Sequence, residues 1–281
     1  MNVKSWLSTN TKQLKDVGID TARLDCLVLL EDSTGHDRGW LLSHLEHILQ
    51  GSNLEKLNTK IVQRAGHTPL AYIRGKAEFY GRDFVVNEHT LIPRPETETI
   101  IELLRGLATQ GQLPAQPHIL DIGTGSGCIA ITAALELPHA HVSACDIDEK
   151  CLKTAQENAQ ELTATVHFFT SNLIEQTDHA TDDKTGMQTY DVLLANLPYV
   201  PNDFHINTAA SHEPKHAIFG GADGLDLYRT MFQQVDSLET KPSYIIAESL
   251  PPSHPELARI AKAAGFRLQK TDDFIQLFTL A

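Results

Sequence analysis

The run YDVLLANLPYV, Tyr190 to Val200, decides the fold. Its first part, Tyr190 to Ala195, is short, apolar on both faces and rich in Val and Leu, and it stops at Asn196-Leu197-Pro198-Tyr199. Strands buried on both sides of a parallel sheet read this way, because neither face meets water. The loop that closes it combines an amide side chain, free backbone carbonyls beside a proline, and an aromatic face. That set suits a planar amide or amino group presented as a weak nucleophile.

Working outward from it, strand and helix patterns alternate from His118 onward. HILDIG (118–123), HVSACD (141–146), TVHFFT (165–170) and SYIIAES (243–249) read as further strands. Cys128 to Leu137, Glu149 to Leu162 and Glu256 to Ala264 read as helices, and FRLQK (266–270) with FIQLFTL (274–280) as a closing hairpin. Such alternation predicts an α/β fold, a Rossmann-like, doubly wound, mostly parallel sheet with ligand at the carboxyl ends of its strands. Glu175 to Thr189 is polar and poor in aromatics, which predicts a mobile surface insertion.

Upstream, residues 1–76 read as a small helical bundle. TARLDCLVLLEDSTG offers Asp20 or Thr21 as N-cap, a stripe through Leu24, Leu27, Val28 and Leu30, and Gly35 as a stop. Leu54 to Ala65 repeats the pattern more weakly. From Pro69 to Val86 the period shifts to two, which predicts a β-hairpin between domains. The expected division is a helical domain over 1–76, a hairpin linker over 77–91 and a catalytic domain over 92–281. Thr90 to Glu98 (TLIPRPETE) leads into a helix reaching about Ala108, with Pro95 suited to a first turn and Glu96 and Glu98 to the positive end of the dipole.

The 281 residues are 41% hydrophobic and 21% charged, ordinary for a soluble globular protein. No leader-like apolar segment opens the chain, and no run approaches the roughly 18 apolar residues of a membrane span. Cys26, Cys128, Cys145 and Cys151 show neither CxxC nor zinc spacing and read as reduced core thiols, so a cytoplasmic setting is expected. His44/His47 and His212/His216 lack companion ligands at metal spacing, and no metal is expected. A monomer is expected. Of the net charge of −13, residues 77–281 carry −15 and residues 1–76 about +2. So acidic a catalytic region is a poor match for a duplex phosphate backbone, and it points to a protein or small-molecule substrate.

Leu120-Asp121-Ile122-Gly123-Thr124-Gly125-Ser126-Gly127 follows the first strand of the sheet. Glycines there let a ligand approach the backbone closely. The spacing is GxGxG, and Cys128 stands where a dinucleotide fingerprint has its third Gly, which argues against a dehydrogenase. Ser126 lacks the glycine at 128 that a nucleophile elbow requires. The second strand ends in Asp146, placed to accept both hydroxyls of a ribose. As a helix N-cap, Asp148 is better placed than Asp146.

With Asn196 to Tyr199 added, the combination resembles the class I S-adenosylmethionine methyltransferases that modify planar nitrogens, whose motif is Asn/Asp-Pro-Pro-Tyr. More specifically, the chain resembles the release-factor glutamine methyltransferases (the PrmC/HemK family). The resemblance rests on Thr68 to Ile73, Leu91 to Glu98, Ile119 to Ala130, Asn196 to Tyr199, Glu213-Pro214, Gly220-Gly221, Asp223 to Leu225 and Tyr228-Arg229. It implies S-adenosylmethionine over Gly123, Thr124, Gly125, Ser126 and Gly127, with Asp146 on the ribose and Asn172 and Leu173 flanking the adenine. It implies that Asn196, Leu197, Pro198 and Tyr199 hold the glutamine of a release factor's Gly-Gly-Gln loop, Asn196 also bordering the cofactor, and that Arg94 to Glu98 helps close the pocket. The partners expected are release factors, with no stable nucleic acid and no membrane.

Three positions depart from the family pattern. Leu197 replaces the first proline but supplies the same backbone acceptor, Asn172 stands where an acidic residue is common, and Ser249 to Pro252 lacks the usual Gly and Gln. Two other readings use the same residues. One is a nucleic-acid amino methyltransferase, which the acidic catalytic region disfavours; the other is a non-catalytic S-adenosylmethionine-binding protein.

Overall fold

A computed structural model describes residues 1–175 and 189–281; the polar run expected as an insertion falls, but for its ends, outside them. The chain divides into two compact units, Met1–Lys76 with Ile206–His212, and Ala77–His205 with Glu213–Ala281.

The first unit is helical, with α1 (Val3–Asp16), α2 (Ala22–Thr34), α3 (Arg38–Ser43), α4 (Gly51–Ala65) and α5 (Leu70–Arg74). Trp6, Leu14, Leu29, Leu30, Leu41 and Leu57 form the fully buried centre of its core. Gly35 ends α2 in the left-handed conformation, the stop its position predicted. The stripe of α2 differs from expectation: Leu27 and Leu30 are buried, but Leu24 is 45% exposed, while Asp25, Cys26 and Leu29 turn inward. Asp25 can do so because Arg64 of α4 donates to it, Nε to Oδ2 at 2.6 Å. A carboxylate survives burial only with such a partner.

The hairpin expected over Pro69 to Val86 is shorter than that, because α5 takes its first residues. Pro69 precedes a first turn that needs no N–H from it, Leu70 and Ile73 lie three apart on the face packed against the helical core, and Gly75 closes the turn at φ 75°. The two-residue period holds only from β1 (Lys76–Phe79) to β2 (Arg82–Val85). Phe79 and Phe84 are fully buried in the core of the second unit.

That unit continues with α6 (Glu98–Thr109), β3 (His118–Ile122), α7 (Cys128–Glu136), β4 (His141–Asp146), α8 (Glu149–Glu161), β5 (His167–Thr170), β6 (Val192–Ala195), α9 (Asp226–Ser237), β7 (Tyr244–Glu248), α10 (His254–Ala263), β8 (Phe266–Asp272) and β9 (Ile275–Leu280). Beside the β1–β2 pair, seven strands form one sheet in the order β5-β4-β3-β6-β7-β9-β8. The first five are mutually parallel, and β9 pairs antiparallel with β7 and β8 as the closing hairpin. Alternate residues of β6 and β7 serve opposite cores. Leu193, Ala195, Ile245 and Ala247 pack with Tyr228, Phe232 and Leu257 of α9 and α10, while Val192, Leu194 and Ile246 pack with α6 and α7. Both faces are covered, which is why the strand reads as an unbroken apolar run.

Register places the site. Ile122 lies opposite Ala195, and Ala195 opposite Ala247, so Gly123, Asn196 and Glu248 leave three adjacent strands side by side at the carboxyl edge. All four cysteines are free and buried. Among the described residues no helix is long and apolar enough to cross a membrane.

Candidate active site

A cavity of about 260 Å³ opens along that edge. Its walls are Gly123, Thr124, Gly125 and Ser126 after β3, Asp146 and Ile147 at the end of β4, Ser171 to Leu173 after β5, Asn196 to Pro198 after β6, and Leu91, Pro93, Arg94 and Thr97 from the segment before α6. Of the residues that the resemblance assigns to the cofactor or the glutamine, Gly127 and Tyr199 are not among its lining, and of Arg94 to Glu98 only Arg94 and Thr97 are.

The glycine loop is shaped by its contacts. A Cβ on Gly123 would meet Leu197 Cδ2 at 3.0 Å, and one on Gly127 would meet Ala155 Cβ and Ile131 Cδ1 at 2.9 Å. Gly127 is thus the tight packing point between α7 and α8, while a Cβ on Gly125 would meet no atom within 4 Å and would border open space. Beneath the loop, Asp121 accepts from Thr124 Oγ1 at 2.6 Å and from the Ala130 N–H at 3.3 Å. Burial pushes its carboxyl up to about 7 against those two donors. Asn158, buried on α8, donates to Ser126 O at 2.8 Å and exchanges two bonds with the backbone of Val85, tying β2 to the loop.

Asp146 accepts from Gly125 N–H at 2.9 Å through Oδ2 and from Asp148 N–H at 3.0 Å through Oδ1. Its carboxyl is raised by burial, with these backbone donors opposing. The N-cap of α8 is Asp148, which accepts from Lys150 N–H at 2.8 Å, so Asp146 is free for the cavity. Leu173 is buried with a left-handed φ of 57°, and Asn172 projects outward, its Nδ2 donating to Glu175 Oε2 at 3.2 Å.

At the end of β6, Asn196 Nδ2 donates to Thr97 Oγ1 at 3.1 Å. Leu197, 2% exposed, donates its N–H to the Tyr228 hydroxyl at 3.3 Å, and that hydroxyl donates to the Glu248 carbonyl. A proline at 197 has no hydrogen to give there, so the departure at this position is used structurally. Tyr199 turns its hydroxyl to Glu248 Oε1 at 2.8 Å. Glu248 is 1% exposed, and burial pushes its carboxyl up to about 6, opposed by the Thr97 and Tyr199 hydroxyls.

Two supports stand behind the motif. The Arg94 guanidinium pairs with Glu213 Oε1 at 2.5 Å, and the Ile92 N–H donates to Glu213 Oε2 at 3.1 Å, so a buried carboxylate fixes the segment that forms one cavity wall. Gly220 and Gly224 let the following loop lie directly on the backbone of 198–199. A Cβ on Gly220 would sit 2.2 Å from Pro198 O, and one on Gly224 2.0 Å from Tyr199 O. In the sequence Glu213-Pro214 and Gly220-Gly221 stand out only as matches to the family pattern, Thr97 only as part of the Arg94 to Glu98 segment, and Asn158, Tyr228 and Glu248 have no role assigned. The one signal for Glu248 was an acid ending an otherwise apolar strand.

Residues 5–75 match the PrmC N-terminal domain family, and residues 102–222 the methyltransferase small domain family. A release factor glutamine methyltransferase of Koribacter versatilis is 37% identical over 238 residues, spanning 84% of this chain and 81% of that one. This chain belongs to the release factor glutamine methyltransferase family. A second member, from Bacillus subtilis, is 34% identical over 226 residues, spanning 79% of this chain and 76% of its own. The fold alone is shared with the hMettl16 catalytic domain, crystallised with the MAT2A 3'UTR hairpin 1, at a TM-score of 0.56 and 15% identity over 90% of this chain and 89% of that one. Membership makes the chain a methyltransferase and places the Asn196 loop within a fold of the class I type.

Proposed function

We propose that this methyltransferase transfers a methyl group from S-adenosylmethionine to the side-chain amide nitrogen of the glutamine in the Gly-Gly-Gln loop of peptide chain release factors. The observation that carries the reading is the orientation of Asn196. Its side chain lines the cavity with Nδ2 donating to Thr97 Oγ1, which leaves Oδ1 without a partner among the described residues.

The residues present fit the cofactor. Gly125 leaves backbone open for close approach, and Asp146 has both oxygens anchored with lone pairs left for two ribose hydroxyls. Asp121, Asp146 and Glu248 are all raised by burial, so a cationic ligand relieves their ionised forms. When bound, S-adenosylmethionine supplies an electrophilic methyl group on a positively charged sulfur. Gly123 to Ser126 would hold it, Asp146 would take the ribose, and Asn172 with Leu173 would flank the adenine.

An amide nitrogen is a poor nucleophile because its lone pair is delocalised into the carbonyl. Asn196 Oδ1 and the Leu197 carbonyl would accept its two hydrogens, orient it, and favour the positive charge that grows on it. Holding reactants in line can supply on the order of 7–11 kcal/mol of a barrier. Tyr199, its hydroxyl fixed on Glu248, would pack against the flat amide. The helical first unit would grip the release factor away from the loop.

Methyl transfer from labelled S-adenosylmethionine to purified release factor, with a loop Gln→Ala variant and duplex DNA alongside, tests the reading. Label on release factor that is lost in the variant is expected. Label on DNA, or none anywhere with cofactor bound, would overturn it in favour of a nucleic-acid enzyme or a silent binding protein respectively.

A further inference from the structure

The Asn196 side chain fits its site in two ways, related by a half-turn that exchanges oxygen and nitrogen. Only one presents an acceptor to an incoming amide. Thr97 Oγ1 can satisfy either, since a hydroxyl both donates and accepts. What decides is where the Thr97 proton goes. The Thr97 hydroxyl is close enough to the Glu248 carboxyl to oppose its rise on burial, and that carboxyl is 1% exposed, with Oε1 taken by the Tyr199 hydroxyl and Oε2 without a hydrogen-bond partner among the described residues.

We propose that Glu248 is a positioning residue: its ionised carboxylate draws the Thr97 hydroxyl proton, leaving the Thr97 lone pair to accept Asn196 Nδ2 and so aiming Asn196 Oδ1 at the substrate. The inference rests on the role proposed above for Asn196 and adds to it a second and third residue and a protonation state. No covalent step is involved; a hydroxyl proton changes direction. An unpaired buried carboxylate oxygen next to a hydroxyl is costly, and turning the hydroxyl toward it is the cheapest repair.

The groups facing Glu248 agree. From the motif loop Tyr199 donates its hydroxyl to the Glu248 carboxylate, and from α9 Tyr228 donates to the Glu248 backbone carbonyl; both phenols are raised by burial, so they stay donors. Glu96 raises the Glu248 carboxyl and Arg94 lowers it from the segment before α6, and Cys128 on α7 remains a neutral thiol, its own pKa pushed up to about 12 by burial. From β9 the residue in register is the apolar Ile275. Glu248 is therefore the group of this set that changes charge near pH 6. When it is protonated it can donate, Thr97 is released to donate to Asn196, and the amide turns its nitrogen outward.

The test is the pH profile of kcat for methyl transfer to release factor in four proteins: wild type, E248Q, T97V and T97S. The wild type is expected to lose kcat on the acid side near pH 6. E248Q and T97V are expected to lose kcat on the order of tenfold to a hundredfold, as for a small misplacement of a reacting group. They should lose the acid limb with it, while KM for release factor and binding of S-adenosylmethionine by calorimetry stay close to wild type. T97S, which keeps the hydroxyl, should restore both the rate and the limb. T97V with wild-type kcat and an unchanged limb overturns the relay, as does T97S behaving like T97V. N196A in the same assay separates the layers: if it transfers at the normal rate, the proposed function itself fails, whereas a dead N196A beside an unaffected T97V removes only Glu248 and Thr97.

Discussion

Each residue of the Asn196-Leu197-Pro198-Tyr199 loop has a separate task, and the tasks predict different losses. Asn196 offers one side-chain oxygen to the cavity while its nitrogen is held at 3.1 Å by Thr97. Asn196→Ala should reduce transfer by at least about a hundredfold, the scale of a lost oriented donor or acceptor in a transition state, while S-adenosylmethionine binding by calorimetry is retained. Near-normal turnover would remove Asn196 from the mechanism. Leu197 works through its backbone N–H and a side chain packed under Gly123. Leu197→Pro restores the family's usual residue yet deprives the buried Tyr228 hydroxyl of its donor and empties part of that packing. It should cost about 1–3 kcal/mol in urea unfolding, and a neutral result would show that the local backbone reorganises around proline.

At the scale of elements, the active edge is assembled by register and braced from behind. The bracing loop lies so close that Gly220→Ala puts a methyl 2.2 Å from Pro198 O, and backbone cannot yield there as a flexible side chain would. Transfer should fall roughly tenfold or more through displacement of the loop, with the helical unit's melting unchanged. Gly106 is the contrast. It sits inside α6 with no atom within 4 Å of a Cβ, so Gly106→Ala should stabilise by about 0.5–1 kcal/mol in urea unfolding and leave transfer untouched. The same distinction explains what could be read from the sequence. The strands and long helices, and the glycine loop with Asp146 and Asn196, announce themselves locally, because period, caps and turn residues are local properties. Helix α5 escaped since five residues hold too few turns to show a period, and Asp25 turned inward because of Arg64, thirty-nine positions away. Asn196 and Glu248 leave adjacent strands side by side because β6 and β7 align Ala195 with Ala247, and Thr97 reaches both from the segment before α6. No spacing in the sequence encodes that meeting.

For the whole molecule, the carboxyl edge of the sheet is a place where stability yields to charge. Glu248 is raised from 4.5 to about 6 and Asp121 from 3.8 to about 7, in both cases chiefly by burial. A carboxyl raised on folding binds its proton more tightly in the native state than in the unfolded chain, so folding is favoured while it is protonated. For Glu248 that contribution is complete below about pH 4.5 and is lost as the pH rises through 6. A shift of that size corresponds to about 2 kcal/mol once the group is ionised. Glu248→Gln keeps an acceptor for the Tyr199 hydroxyl and removes the buried charge. Its unfolding free energy in urea should therefore exceed wild type by about 2 kcal/mol at pH 8, and the gap should narrow by pH 5, where the wild-type carboxyl is mostly protonated. A gap of the same size at both pH values would mean that packing, not charge, separates the two proteins. A variant that is more stable yet slower is the signature expected of a charge retained for what it orients, since nothing in the packing of β7 against β6 and β9 requires an acid at that position.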